Sequence, residues 1–130
     1  MTIFIKNKHT LQIDEFKFKC CIGKNGSTKI KKEGDKKTPK GTFKIENLYF
    51  RKDKIKKKIR HERLKRKDHK YDLLIPIKYN FTKPIVSLGS CIFIHLTKNY
   101  KPTAGCVALN EKDFLIMLKI IKKNTKIKIL

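Results

Sequence analysis

Leu11-Gln12-Ile13-Asp14-Glu15-Phe16-Lys17-Phe18-Lys19-Cys20-Cys21-Ile22 sets Phe16, Phe18 and Cys20 against Glu15, Lys17 and Lys19. Apolar and charged residues alternating with a period of two mark strand structure with one buried and one wet face. Residues 11–22 therefore predict half-buried strand. Working outward, Ile3 to Lys6 has the same pattern, and Gly23-Lys24-Asn25-Gly26-Ser27-Thr28 supplies turn chemistry. A polar, Lys-rich stretch with Gly34 and Asp35 continues to Thr38-Pro39-Lys40-Gly41 and predicts a long loop. Thr42 to Leu48 alternates again, with Phe43, Ile45 and Leu48 for its core face.

The second half continues in the same style. Residues 51–70 hold four Arg, two His and many Lys, with Ile55, Ile59 and Leu64 as their only aliphatic residues, and predict a solvated segment. Tyr71 to Ile75 resumes strand character, and Pro76 argues for an edge or a strand end. Cys91 to Leu96 predicts a buried strand with His95 on the face of Cys91 and Phe93. Asn110 can cap a helix with Asp113 near its N3 position, and Phe114, Leu115, Met117, Leu118 and Ile121 follow at helical spacing. Thr125 to Leu130 alternates once more. The expectation is one strand-dominated domain over residues 1–130 with a single amphipathic helix near its C-terminus.

Composition narrows the classes. The 130 residues carry 34 Lys plus Arg against 11 Asp plus Glu, a net charge of +23. Leu, Ile, Val and Phe make up 39 of the residues, well above the roughly one-fifth below which a highly charged chain stays disordered. The longest apolar runs, such as Phe114 to Leu118, span five residues, whereas a membrane-spanning helix takes about 20. Neither a transmembrane helix nor, from Met1 to Lys8, an export signal is expected. Cys20, Cys21, Cys91 and Cys106 lack Cys-x-x-Cys spacing and a His-x3-5-His partner, so neither zinc nor a disulfide framework is expected. The charge rests on 30 Lys and 4 Arg beside 18 Ile, a mixture that A+T-rich coding also yields. Such a surface attracts any anionic polymer, nucleic acid included, and the attraction fades with salt.

Chemistry concentrates in His95 and, eleven residues on, Thr103-Ala104-Gly105-Cys106-Val107. A thiolate nucleophile beside an imidazole that takes its proton is the minimum apparatus for acyl transfer. The Lys98 to Pro102 loop can fold Cys106 back toward the His95 strand. Gly105 permits close backbone approach and leaves N–H groups for an oxyanion, and Thr103 is placed to orient the imidazole. From spacing alone, a buried structural Cys and a satisfied core His are the commoner readings. Burial is the default for Cys20, Cys21 and Cys91.

Two separated segments resemble the L,D-transpeptidase catalytic domain, the YkuD-like family of peptidoglycan enzymes. Thr38-Pro39-Lys40-Gly41-Thr42-Phe43, preceded by Gly34-Asp35, is similar to its Thr-Pro-x-Gly-x-Phe stretch. Ile94-His95 followed by Thr103-Ala104-Gly105-Cys106-Val107 is similar to its His … Ser/Thr-x-Gly-Cys signature. His61-Glu62-Arg63-Leu64, Tyr71-Asp72-Leu73-Leu74 and Tyr79-Asn80 look like one compact branch, the one with Ala-Gly-Cys-Val-Ala at the nucleophile. Commoner members carry a His before Gly-Cys and an Arg or Asn two residues after the Cys, where this chain has Ala104 and Ala108. Its gap between His95 and Thr103 is also shorter.

The resemblance implies a mainly β sandwich or open barrel and acyl transfer on peptidoglycan stem peptides, with Cys106 as nucleophile, His95 as base, and Thr103 and Gly105 supporting them. The alternative at the same site is an L,D-carboxypeptidase or endopeptidase. No metal or cofactor is expected, and the protein is expected to be a monomer. With no Arg after the nucleophile, Arg60 and Arg63 are the candidates for the substrate carboxylate. The resemblance implies a cell-envelope location, with the cytoplasm the alternative in the absence of a visible signal. The rival from another class is a basic nucleic-acid-binding module, motivated by the charge and by Phe16, Phe18, Tyr49 and Phe50 among lysines. No helix-turn-helix, zinc-finger or RNA-recognition signature accompanies them, and Lys so outnumbers Arg that base-specific recognition is poorly supplied.

Overall fold

The computed structural model describes residues 1–50 and 72–130. Eleven strands are present among these residues, most in two principal sheets. The first sheet is built on β1 (Thr2–Lys6), where Ile3 and Ile5 alternate inward against half-buried Thr2, Phe4 and Lys6. β1 pairs antiparallel with β2 (Thr10–Ile13), which pairs with β3 (Phe16–Lys19). The stretch expected as continuous strand from Leu11 to Ile22 is thus broken at Asp14-Glu15, where Asp14 takes a φ of 52°. An Asp tolerates that left-handed turn, and the alternation resumes after it in the opposite direction.

β4 (Ser27–Thr28) and β5 (Thr38–Pro39) form a short parallel pair inside the segment expected as loop. β6 (Gly41–Lys44) closes one edge of the first sheet against β11 (Lys126–Ile129), which lies parallel to β1. The second sheet runs β10 (Val107–Leu109), β9 (Phe93–Leu96), β8 (Leu73–Pro76) and β7 (Tyr49–Phe50). β8 is interior, so Pro76 occupies a strand end rather than an edge, which spares a ladder N–H. Both sheets and the helix α1 (Glu111–Ile120) enclose one core in which Ile3, Leu11, Ile94, Leu109, Phe114 and Ile127 are fully buried. Each such side chain contributes roughly 1.5–3 kcal/mol. The chain is mainly β with one helix near the C-terminus, as its alternation predicted.

α1 begins where the sequence placed it. Asn110 Oδ1 accepts the Asp113 N–H at 2.8 Å while its Nδ2 donates to the Tyr100 hydroxyl at 2.8 Å. Phe114 and Met117 are buried and Leu115 faces solvent. Asn110→Ala removes both bonds and is expected to cost about 1 kcal/mol, read as a lowered denaturant midpoint with an unchanged slope. A midpoint equal to the parent's would show that the cap carries no stability.

Candidate active site

β9 and β10 fix the relative positions of His95 and Cys106. The two strands are parallel, with Val107 opposite Ile94 and Ala108 opposite His95. Alternation turns Ile94, Leu96, Val107 and Leu109 into the main core, so Phe93, His95, Cys106 and Ala108 share the other face. There Cys106 packs on a small cluster of Phe93 and Leu74. His95 stands diagonally from Cys106, two residues along and one strand across. With strands about 4.8 Å apart and a rise of about 3.3 Å per residue, their Cβ atoms lie about 8 Å apart.

Both groups are held by backbone. His95 is 4% exposed, and its Nδ1 lies 2.8 Å from the Leu96 carbonyl oxygen. A carbonyl only accepts, so Nδ1 carries the proton and Nε2 is the basic nitrogen of the neutral ring. The Phe93 N–H donates to Cys106 Sγ at 3.4 Å, and Sγ donates in turn to the Cys91 carbonyl at 3.5 Å.

Thr103 sits in the turn that carries the nucleophile. Its hydroxyl donates to the Cys106 carbonyl at 2.6 Å and accepts the Gly105 N–H at 3.1 Å, which folds that turn. The Gly105 N–H expected for an oxyanion is therefore engaged within that turn. Gly105 contributes shape: its φ is 144°, and a Cβ there would meet the Lys37 carbonyl oxygen at 3.0 Å and Ile92 Cδ1 at 3.4 Å.

That close approach joins the two sequence motifs. Thr38 is fully buried and its Oγ1 accepts the Gly23 N–H at 2.9 Å, while the Lys24 N–H donates to the Thr103 carbonyl and the Thr103 N–H to that of Ile22. Ile22, expected as a strand end, and Gly23-Lys24, expected as turn, are the stitch between Thr38-Pro39 and Thr103 to Cys106. Lys31, one lysine among thirty, is the other residue that sequence reasoning missed: it is 5% exposed and its Nζ lies 2.6 Å from Asp35 Oδ1. Only its spacing of four residues from Asp35 signalled it.

Partial burial raises the Asp35 carboxyl, but the Lys31 ammonium and the N–H groups of Lys32 and Lys37 outweigh it, and its pKa falls from 3.8 to about 2. A carboxylate so depressed adds stability above its unfolded value and loses it as the pH falls from about 4 through about 2. The midpoint difference between the parent and Asp35→Asn is expected to be full at pH 6 and to close in that window. A difference constant down to pH 2 would contradict this account of the loop.

Two further expectations change. Cys91, expected buried in the strand, lies just before β9, exposed and with a φ of 59°. Ala108 stands where commoner members of the resembled family have Arg or Asn; it is fully buried, and its N–H and carbonyl both bond Cys21. Arg60 and Arg63 lie outside the described residues, as does the charged segment around them. Among the described residues no group of His, Cys, Asp and Glu is arranged to hold a metal ion, and no helix is long and apolar enough to cross a membrane.

The family model of the YkuD L,D-transpeptidase catalytic domain matches residues 1–129. The fold is similar to that of the helical cell shape determining protein Pgp2 from Campylobacter jejuni, with a TM-score of 0.67 and 17% identity over 98% of this chain and 46% of that one. It is similar as well to Bdellovibrio bacteriovorus Bd1075, with a TM-score of 0.61 and 20% identity over 99% of this chain and 47% of that one. The chain thus spans about half the length of these two proteins. No curated protein sequence matches it.

Proposed function

Since the chain belongs to the YkuD family of L,D-transpeptidase catalytic domains, we propose that it is a cysteine acyltransferase acting on peptidoglycan stem peptides, with Cys106 as nucleophile and His95 as base. The observation that carries this reading is the shared face of two register-locked strands, on which a half-buried thiol stands diagonally from an imidazole whose Nδ1 is pinned to the Leu96 carbonyl. Pinning leaves Nε2 to take the thiol proton.

In this mechanism Nε2 of His95 accepts the proton of Cys106 Sγ, and the thiolate attacks the amide carbonyl at the L-centre of diaminopimelate. The C–N bond breaks, the imidazolium returns its proton to the leaving D-alanine amine, and the stem remains as a thioester. Backbone donation to the oxyanion falls to the Cys106 N–H, with Gly105 shaping the turn and Thr103 holding it. An amine of a second stem resolves the thioester into a crosslink. Water in its place makes the protein an L,D-carboxypeptidase or endopeptidase. Arg60 and Arg63 remain the residues proposed for the substrate carboxylate, and the cell envelope the proposed place of action.

Intact-mass analysis after exposure to a tetrapeptide stem tests the reaction class. The expected species is heavier by the stem less D-alanine, with the adduct mapped to Cys106; a second stem then distinguishes crosslinking from hydrolysis by its product. Release of D-alanine with the adduct on another residue, or no turnover of any stem, would remove the proposal.

A further inference from the structure

The four cysteines divide into two kinds. Cys20 and Cys21 are buried. Burial, with the neighbouring Cys21, pushes the Cys20 thiol up to about 12, and burial also raises that of Cys21 against the opposing charge of Lys19. Such thiols are poor nucleophiles. Cys91 is exposed and Cys106 half-buried.

Those two are neighbours in space. Cys106 Sγ lies 3.5 Å from the Cys91 carbonyl oxygen across a separation of 15 residues. Standard C=O and Cα–C lengths then place the Cys91 Cα within about 6 Å of that sulfur. A disulfide needs its two Cα atoms about 4.4–6.8 Å apart, so closing the bond calls for Cys91 to swing its side chain over and for the backbone just before β9 to shift toward Cys106. Cys91 sits in the left-handed region just before β9, its sulfur 3.9 Å from Ser90 Oγ. An exposed side chain at the end of a strand rotates about χ1 without disturbing the core.

We propose that Cys91 is a resolving cysteine for Cys106, so that hydroperoxide oxidation of Cys106 ends in a reversible Cys91–Cys106 disulfide. The Cys106 thiolate attacks one peroxide oxygen, the O–O bond breaks, and the sulfur is oxidised to a sulfenic acid while the other oxygen leaves as water. The Cys91 thiolate then attacks the sulfenic sulfur; the S–S bond forms, the S–O bond breaks, and a second water departs. Two thiols and one hydrogen peroxide become one disulfide and two waters. A thiol reductant reverses the bond by exchange. Without Cys91, Cys106 continues to the sulfinic acid, which thiols do not reduce.

The test treats the full chain with hydrogen peroxide and reads intact mass, peptide maps and iodoacetamide labelling of Cys106, none of which needs turnover, so its failure is distinct from failure of the acyl-transfer reading. The parent is expected to lose two hydrogens, to yield a peptide joining Cys91 to Cys106, and to recover its labelling after dithiothreitol. Cys91→Ser is expected to gain two oxygens at Cys106 and to lose labelling permanently. The proposal is overturned if parent and variant overoxidise alike, if the disulfide joins other cysteines or two chains, or if Cys106 stays reduced in both.

Discussion

Cys106→Ala is expected to lower D-alanine release from a tetrapeptide stem by at least about 10⁴-fold, the scale seen when a covalent nucleophile is removed from a hydrolase. No other described thiol can substitute by position: Cys20 and Cys21 are buried with raised pKa values, and Cys91 lies before β9 rather than in the turn that Thr103 closes. The fold is expected to survive, because the change removes one half-buried sulfur whose hydrogen bonds include weak ones from Phe93 and to Cys91. A loss of about 1 kcal/mol is the ordinary cost of such a substitution. The measurement pairs D-alanine release with a thermal midpoint, so that an inactive but folded variant is told from an unfolded one. A carbapenem is expected to add its mass to the parent and not to the variant. Binding of an anionic polymer is expected to persist in both, since it rests on the lysine-rich surface. Turnover by the variant at the parent's rate would remove Cys106 as nucleophile, and no turnover by either protein with polymer binding intact in both would leave the basic binding module as the better account.

His95→Gln is expected to cost about 10²–10⁴-fold in kcat, the usual contribution of a general base, with KM little changed. Glutamine keeps much of the ring's volume at a position that is 4% exposed and places its amide near the position of Nε2. What it lacks is a basic nitrogen. An unassisted thiol has a pKa near 8.5 and is a few per cent ionised at pH 7, so the variant is expected to regain rate as the pH rises past that value. Iodoacetamide labelling of Cys106 at pH 7 is expected to slow in parallel. A parent-like rate with a parent-like pH profile would free His95 from any catalytic assignment and return it to a buried core residue.

How much of this was legible depended on the range of the interaction involved. Inward-facing Ile3, Ile5, Ile127 and Ile129 and the capped helix after Asn110 were plain, because period-two alternation and a cap are written in neighbouring residues. The hairpin at Asp14-Glu15 was hidden because alternation continues on both sides of the turn, and only the φ of Asp14 reveals it. β10 went unassigned since Val107 to Leu109 is fully buried on both faces and has no alternation to show. Lys31 was nearly hidden for the opposite reason, since beyond its spacing of four from Asp35 nothing local distinguishes one buried lysine from its solvated neighbours. The two motifs were visible as strings, yet their meeting through Gly23, Thr38 and the cramped Gly105 was not.

By itself, then, the sequence determined a strand-rich chain with one capped amphipathic helix, and named a Cys, a His and two motifs in order, because those properties live in spacing and side-chain chemistry. Tertiary structure alone decided that Thr103 closes the nucleophile's turn, that Gly105 is needed for shape, and that Cys91 lies exposed beside Cys106. Those outcomes depend on strand register and on which backbone groups come within about 3 Å of one another, and contacts between residues so far apart in the chain exist only once the sheets have closed on their core.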